Sequence, residues 1–305
     1  IIMTSLQDVK GEETSAGQWG GMVILGNAPS NKCPSDGSEC ALQIEGVGEG
    51  AVFGGTDWED DSGVLKYVVV KYAGYEIAPD NELNGITFGG VGSGTTVDYI
   101  QVHSNADDGV EFFGGAVNVK HLVLTANQDD SIDWDNGFKG MMQHVYVEHA
   151  KNAGVANRAI EADNDGSSPD KEPQSNPTLA NMTIIGNNFN TADTDSEGIY
   201  LREGTAAKIF NTVVTGPSEM GECMEFEGGD TGGRSFIVPN TFDIQYMYNG
   251  NENTFLNKIS TCVLETMNVT YGGDRYKTYT ATAEGAPPVE TTITLNFQEM
   301  EMITR

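Results

Sequence analysis

One phrase returns along the chain and limits what it can fold into. It reads Asn84-Gly85-Ile86-Thr87-Phe88-Gly89-Gly90, then Asp108-Gly109-Val110-Glu111-Phe112-Phe113-Gly114-Gly115, then Asp130-Ser131-Ile132-Asp133-Trp134-Asp135-Asn136-Gly137. Weaker copies begin at Arg158, Glu197 and Glu222. Gly85 and Gly109 are 24 residues apart, Gly109 and Ser131 are 22 apart. A period in the low twenties with one short strand per copy predicts stacked coils, because a single copy cannot bury its own apolar face.

A second strand recurs in step with the first: Lys66–Val70, Asp98–Val102, Lys120–Leu124, Gln143–Val147, Asn181–Ile185 and Asn211–Val214. Two strands per coil, separated by Gly and Asn/Asp corners, predict a parallel β-helix. Side chains alternate along a strand. Ile86, Val110, Ile132, Ile160, Ile199 and Met224 should therefore point inward, as should Phe88, Phe112, Trp134, Ala162, Leu201 and Phe226. The corner glycines, part of a total of 38, are expected at φ > 0.

From Gly232 the phrase is lost. Long alternating segments follow at 236–248, 258–271 and 291–302. In the last, Ile293, Leu295 and Phe297 share one face, the pattern of a half-buried antiparallel strand. Charge divides the chain at the same place. Residues 230–305 hold 5 Lys/Arg and 9 Asp/Glu, so about −25 of the net −29 belongs to residues 1–229. The reading is an all-β chain of two parts: a β-helix over 1–229 and a small antiparallel β module over 230–305. The polar, Pro-containing stretch 164–177 should be a loop on the solenoid flank.

Such an acidic surface repels nucleic acid and anionic membranes, and neither is expected as a partner. No membrane-spanning run, lipidation motif or signal peptide is present in the sequence. Solenoids need capped ends, so a segment ahead of Ile1 is expected. Cys33 and Cys40 bracket a Pro/Ser/Asp/Gly loop and can close a small disulfide or stand as two free thiols. Cys223 falls at a corner and reads as a small buried residue.

The outward position of the repeated strand reads Thr87, Glu111, Asp133, Glu161, Tyr200, Glu225. Three successive coils thus carry a carboxylate column at a spacing of about 4.8 Å. Asp108, Asp130 and Asp135 adjoin it at the corners, and Asp107, Asp129 and Asp163 crowd nearby. Like charges this close need a cation between them or a retained proton. Hard oxygen ligands suit Ca²⁺; the other reading is a solvated acidic face. Asp108, Glu111, Asp130, Asp133, Asp135 and Glu161 are the candidate Ca²⁺ ligands. Glu111, Asp133 and Glu161, with Arg158 and Lys139, are the candidate catalytic groups. Arg202, His121 and His144 are further candidate bases, although His121 and His144 stack below Tyr67 and Tyr99 in what reads as a surface stripe. No Ser/His/Asp elbow, phosphate loop, zinc spacing or dinucleotide fingerprint occurs.

Two resemblances follow from the residues. Gly17-Gln18-Trp19-Gly20-Gly21-Met22-Val23-Ile24-Leu25-Gly26-Asn27-Ala28-Pro29, Asp80–Thr95 and Val102–Gly137 resemble secreted or lipid-anchored bacterial β-helix surface proteins of the right-handed pectate-lyase-like type. That resemblance covers 1–229 and implies a cell-surface solenoid. On this fold, polysaccharide lyases pair Ca²⁺-bound carboxylates with a basic residue, and glycosidases use paired carboxylates. Sparse Lys and Arg, and the repulsion of polyanions, speak against a lyase of acidic polysaccharides. Phe236-Ile237-Val238-Pro239-Asn240-Thr241-Phe242-Asp243-Ile244, Asn257–Leu264, Glu284–Pro288 and Thr294–Glu301 are similar to the C-terminal half of contractile-phage baseplate tube-initiation proteins. This implies a tail-tube type module and a virion location. The sequence thus leads to a non-catalytic acidic scaffold or binding surface, extracellular or cell-surface. Its expected partners are a surface polysaccharide or a second copy joined through the C-terminal strands. The alternative is a carbohydrate-active enzyme using the Glu111/Asp133/Glu161 column.

Overall fold

The computed structural model describes residues 1–36, 38–44, 47, 50–78, 82–150, 158–187 and 197–216, and the backbones of the strands at 224–226, 241–248, 268–272, 276–281 and 291–296. The chain climbs by alternating between two parallel sheets. The short-strand sheet stacks Met22–Leu25, Ile86–Gly89, Val110–Phe113, Ile132–Asp135, Arg158–Ala162, Glu197–Leu201 and Met224–Phe226. The long-strand sheet stacks Ile2–Met3, Val64–Lys71, Thr96–His103, Asn118–Thr125, Met141–Glu148, Thr178–Ile185, Lys208–Thr215 and Thr241–Tyr248. This is a parallel β-helix, with the right-handed turn that parallel crossovers take.

The expected register holds residue for residue. Ile86, Val110, Ile132, Ile160, Ile199 and Met224 are successive backbone partners. The first five are buried, and Phe88, Phe112, Trp134, Ala162 and Leu201 fill the next inward column. Within that column the rings do not all stack on one another. The Phe88 and Phe112 rings lie 5.0 Å apart and nearly parallel, but Phe112 then stacks on Phe138 at 4.5 Å. Trp134 stays fully buried in its column and turns its indole Nε1–H toward Thr205 Oγ1 at 3.0 Å. A buried indole N–H needs an acceptor, and that need overrides stacking.

The corner glycines of the phrase are of two kinds: Gly90, Gly114, Gly115 and Gly137 take the expected positive φ, between 56° and 89°, whereas Gly85 and Gly109 serve close packing. Gly85 and Gly109 do not lie in the left-handed region; a Cβ on Gly109 would stand 2.4 Å from Asn127 Nδ2 and 2.6 Å from Ser131 O. Close approach of the next coil requires glycine there. Left-handed backbone also occurs in the middle of the long strands, at Tyr67, Tyr99, His121, His144, Asn181 and Asn211, with φ between 46° and 59°. Each bends its strand, so inward residues fall three apart (Leu65 and Val68, Val97 and Ile100, Val119 and Leu122) before the period of two resumes.

Past residue 229 the long sheet continues. Thr241–Tyr248 pairs parallel with Lys208–Thr215, with a register shift. Antiparallel pairing then follows: Tyr276–Ala281 against both Asn268–Gly272 and Thr291–Asn296. Cys223, Cys262 and Phe297 lie outside the described residues. The Asn164–Pro177 stretch is a flank loop organised by Asn164, whose Nδ2 donates to the carbonyls of Pro169 and Lys171. No helix among the described residues is long and apolar enough to cross a membrane.

Candidate functional site, an acidic cleft

The outer face of the short-strand sheet carries a cleft of about 600 Å³. Its floor is the predicted column: Glu111 pairs with Asp133, and Asp133 with Glu161, on neighbouring strands. The column is not an open face as the alternation implied. Thr87 is fully buried and Glu161 is 6% exposed. An excursion between the strands at 22–25 and 64–71 builds one wall. It contains the Cys33–Cys40 disulfide and the hairpin of Leu42–Gln43 with Val52–Phe53. Phe53 packs on Phe113, and Ile44 and Phe113 line the cleft beside Leu83. A Cβ on Gly54 would meet both disulfide sulfurs, so the bridge is packed tightly onto the hairpin.

Asp108 and Asp130 sit at the start of each phrase because their carboxylates cap the next coil. Asp130 N donates to Asp108 Oδ1 at 3.0 Å, and Arg158 N donates to Asp130 Oδ1 at 2.7 Å. Asn84 is their equivalent one coil earlier. Its Nδ2 donates to Glu111 Oε2 and to Thr87 Oγ1. It is 5% exposed, yet its Oδ1 has no partner, and it lines the cleft. Asp133 Oδ1 and Asp135 Oδ1 are likewise covered and unpartnered. Buried acceptors without donors are costly.

Charge is divided unevenly along the cleft. Arg158 and Arg202 are the only basic residues among the described lining residues, and both stand at one end. Arg158 pairs with Glu161 and with Glu197 (2.8 Å); Arg202 pairs with Glu161 and with Asp163 (2.8 Å). Both guanidiniums lie over Tyr200, at 4.5 and 5.7 Å from the ring centre. Burial pulls both guanidiniums down, but the surrounding carboxylates outweigh it and hold them above their ordinary range. They are locked cations, unsuited to removing a proton.

At the other end no Lys or Arg lines the cleft among the described residues. Burial, then the charges of Asp133 and Glu111, push the Asp108 carboxyl well up. Burial, then Glu111 and Glu161, do the same to Asp133. Burial raises Asp130 and Asp135 as well, with Glu161 and Asp163 as the next causes. Carboxylate oxygens of Asp108, Glu111 and Asp133 lie within 4.8 Å of one another; so do those of Asp130, Asp133 and Glu161, and those of Asp107, Asp108 and Asp129. Asp133 belongs to two of these overlapping triads. Oxygen ligands of this kind fit a hard divalent cation, and their number and flexibility favour Ca²⁺ over Mg²⁺.

Of the sequence candidates, Asp108, Glu111, Asp130, Asp133, Asp135, Arg158 and Glu161 all converge on this cleft. Lys139 does not line it; its ammonium lies 5.7 Å from the Trp58 ring centre. His121 and His144 belong to the long-strand sheet. Sequence reasoning missed Asn84, although the phrase itself places it where Asp108 and Asp130 recur. It also missed Glu197, whose partner Arg158 is 39 residues away.

A parallel β-helix with a walled carboxylate cleft on one sheet defines the class of protein. The chain belongs to the pectate-lyase-like β-helix domain family, whose model matches residues 1–286. No curated protein and no solved structure matches it.

Proposed function

We propose that this protein is a cation-dependent binding β-helix whose acidic cleft holds Ca²⁺ and, through it, an extracellular carbohydrate. The observation that carries this reading is the uneven charge of the cleft. Both guanidiniums pair with Glu161, Asp163 or Glu197 at one end, while at the other burial and like charges raise the Asp108 and Asp133 carboxyls. A divalent cation relieves that repulsion and supplies Asn84 Oδ1 and Asp133 Oδ1 with an electropositive partner. Binding rather than bond cleavage is favoured because the nearby basic residues are locked as cations and no histidine lines the cleft among the described residues.

The second reading is a carbohydrate-active enzyme. The walled cleft favours it, since carboxyls raised by burial beside others that stay ionised are the parts of an acid–base pair.

Thermal unfolding with millimolar Ca²⁺ against chelator tests the first reading. The midpoint should rise with Ca²⁺ concentration as linkage requires, and an unchanged midpoint refutes it. Incubation with polysaccharides, scored by new reducing or unsaturated ends that Asp133→Asn abolishes, would replace it with the second.

A further inference from the structure

The long-strand sheet carries a second concave feature, independent of the cleft. It is a groove of about 610 Å³ running across the strands. One side is the ring column Tyr67, Tyr99, His121 and His144, whose neighbouring centroids are 4.8, 4.3 and 5.0 Å apart with planes within 17° of parallel. The other side is the outward column Val69, Gln101, Val123 and Tyr146, in register on the same strands.

Three observations bear on what it takes. First, no carboxylate lines this groove among the described residues, on a chain of net charge −29. Two carboxylates adjoin it and both are engaged: Asp98 by Lys66 Nζ at 3.2 Å and His121 Nδ1 at 2.8 Å, and Glu148 by the Tyr146 hydroxyl at 2.7 Å. Second, the rings cover one another's faces, so they offer their outer edges, which carry phenol hydroxyls and imidazole nitrogens. Tyr67 is 63% and Tyr99 44% exposed. Third, every ring is held by a left-handed backbone, φ between 51° and 59°. The row is therefore set before any ligand arrives, which lowers the ordering cost of binding.

An apolar floor beside one polar edge per coil complements a molecule with apolar C–H faces and a hydroxyl rim. The coil repeat of about 4.8 Å is close to the size of one pyranose ring, whereas an extended peptide advances about 3.3 Å per residue and falls out of register. We propose that this groove is a second binding site, for an uncharged polysaccharide lying along the solenoid axis with one sugar per coil. It does not depend on the cleft or its cation.

The experiment is calorimetric titration of the full chain, in chelator, with uncharged hexasaccharides of glucose, mannose and xylose. The informative variant is Tyr67→Asn/Tyr99→Asn, because asparagine already holds the same left-handed position at Asn181 and Asn211. At least one sugar should bind. The double variant should weaken it tenfold or more while remaining cooperatively folded, and Asp133→Asn should leave it unchanged. Absence of binding by all three sugars overturns the proposal. So does binding that the double variant retains, or binding that chelator and Asp133→Asn abolish, which would place the sugar in the cleft. Sedimentation of the free chain adds one further contrary result: a dimer that the double variant dissociates, with no sugar bound, would make the groove a contact between copies.

Discussion

The two faces of this solenoid are built on the same coils and have opposite chemistry. On the short-strand sheet, equivalent positions repeat carboxylates, and an excursion walls them in. On the long-strand sheet, equivalent positions repeat rings and neutral groups, and the surface stays open. The difference teaches what a repeat does with a side chain. Stacking at about 4.8 Å multiplies its property, attraction for rings and repulsion for carboxylates. The ring column therefore satisfies itself, while the carboxylate column must be relieved by counter-charges or retained protons.

Both faces hang on one core, and the largest effect should come from there. Trp134→Ala should cost about 3–5 kcal/mol in denaturant unfolding. A loss below about 1 kcal/mol would mean that the column beneath the cleft is not the shared support.

Next in size is a pH effect that belongs to neither face. His149 is buried, and burial lowers its pKa to about 4. The folded chain thus keeps His149 neutral while the unfolded chain protonates it below its ordinary 6.5. The stability is present above pH 6.5 and is lost as pH falls through the window down to about 4. The loss should approach about 3 kcal/mol. The cleft carboxyls, raised by burial, act in the opposite sense, so the test is the difference between the parent chain and His149→Gln. That difference should shrink as pH falls from 7 to 4.5; a constant difference contradicts it.

The cleft itself should respond to Asp133→Asn in two ways. Without divalent cations the variant should be as stable as the parent or more so, because a like charge is removed from a crowded site. With Ca²⁺ at about 100 times its Kd the parent should gain about 2.7 kcal/mol, and the variant far less. A variant destabilised in both conditions would recast Asp133 as a structural residue.

The open face should give the smallest change. Tyr99→Asn removes two ring contacts worth roughly 0.5–1.5 kcal/mol each but keeps the backbone. Tyr99→Val, β-branched at φ 55°, should cost clearly more. Equal costs would show that the backbone there is not the constraint. A chain ended at residue 229 should keep both faces, since every cleft-lining residue among the described ones lies at or before Arg202. Whether residues 230–305 form a separate module is open to the same truncation, because Thr241–Tyr248 pairs on Lys208–Thr215.

The register and the carboxylate column were legible in the sequence because a solenoid turns spacing directly into position: Gly85, Gly109 and Ser131 alone fix it. The inward residues three apart, Leu65 with Val68 and Val97 with Ile100, carried the signal for a left-handed residue between them, but alternation by two masks it. The walls were not legible. Ile44 reaches the cleft and Phe53 packs on its lining residue Phe113, both from a stretch outside the repeat, and only tertiary packing says which face they cover. The same holds for the arginines. Arg158 and Arg202 are visible as bases, but their pairing with Glu161, Glu197 and Asp163 depends on strand order. That pairing turns them from candidate bases into locked charges, and Phe138 enters the ring stack from a corner for the same reason.

The most direct test of the uneven cleft is calorimetric titration of the full chain with Ca²⁺ at neutral pH, beside Asp133→Asn. Saturable binding that the substitution removes, with the fold of both chains intact, is the predicted result. A flat titration of the parent chain, or binding that Asp133→Asn leaves untouched, contradicts the cation site on which the account rests.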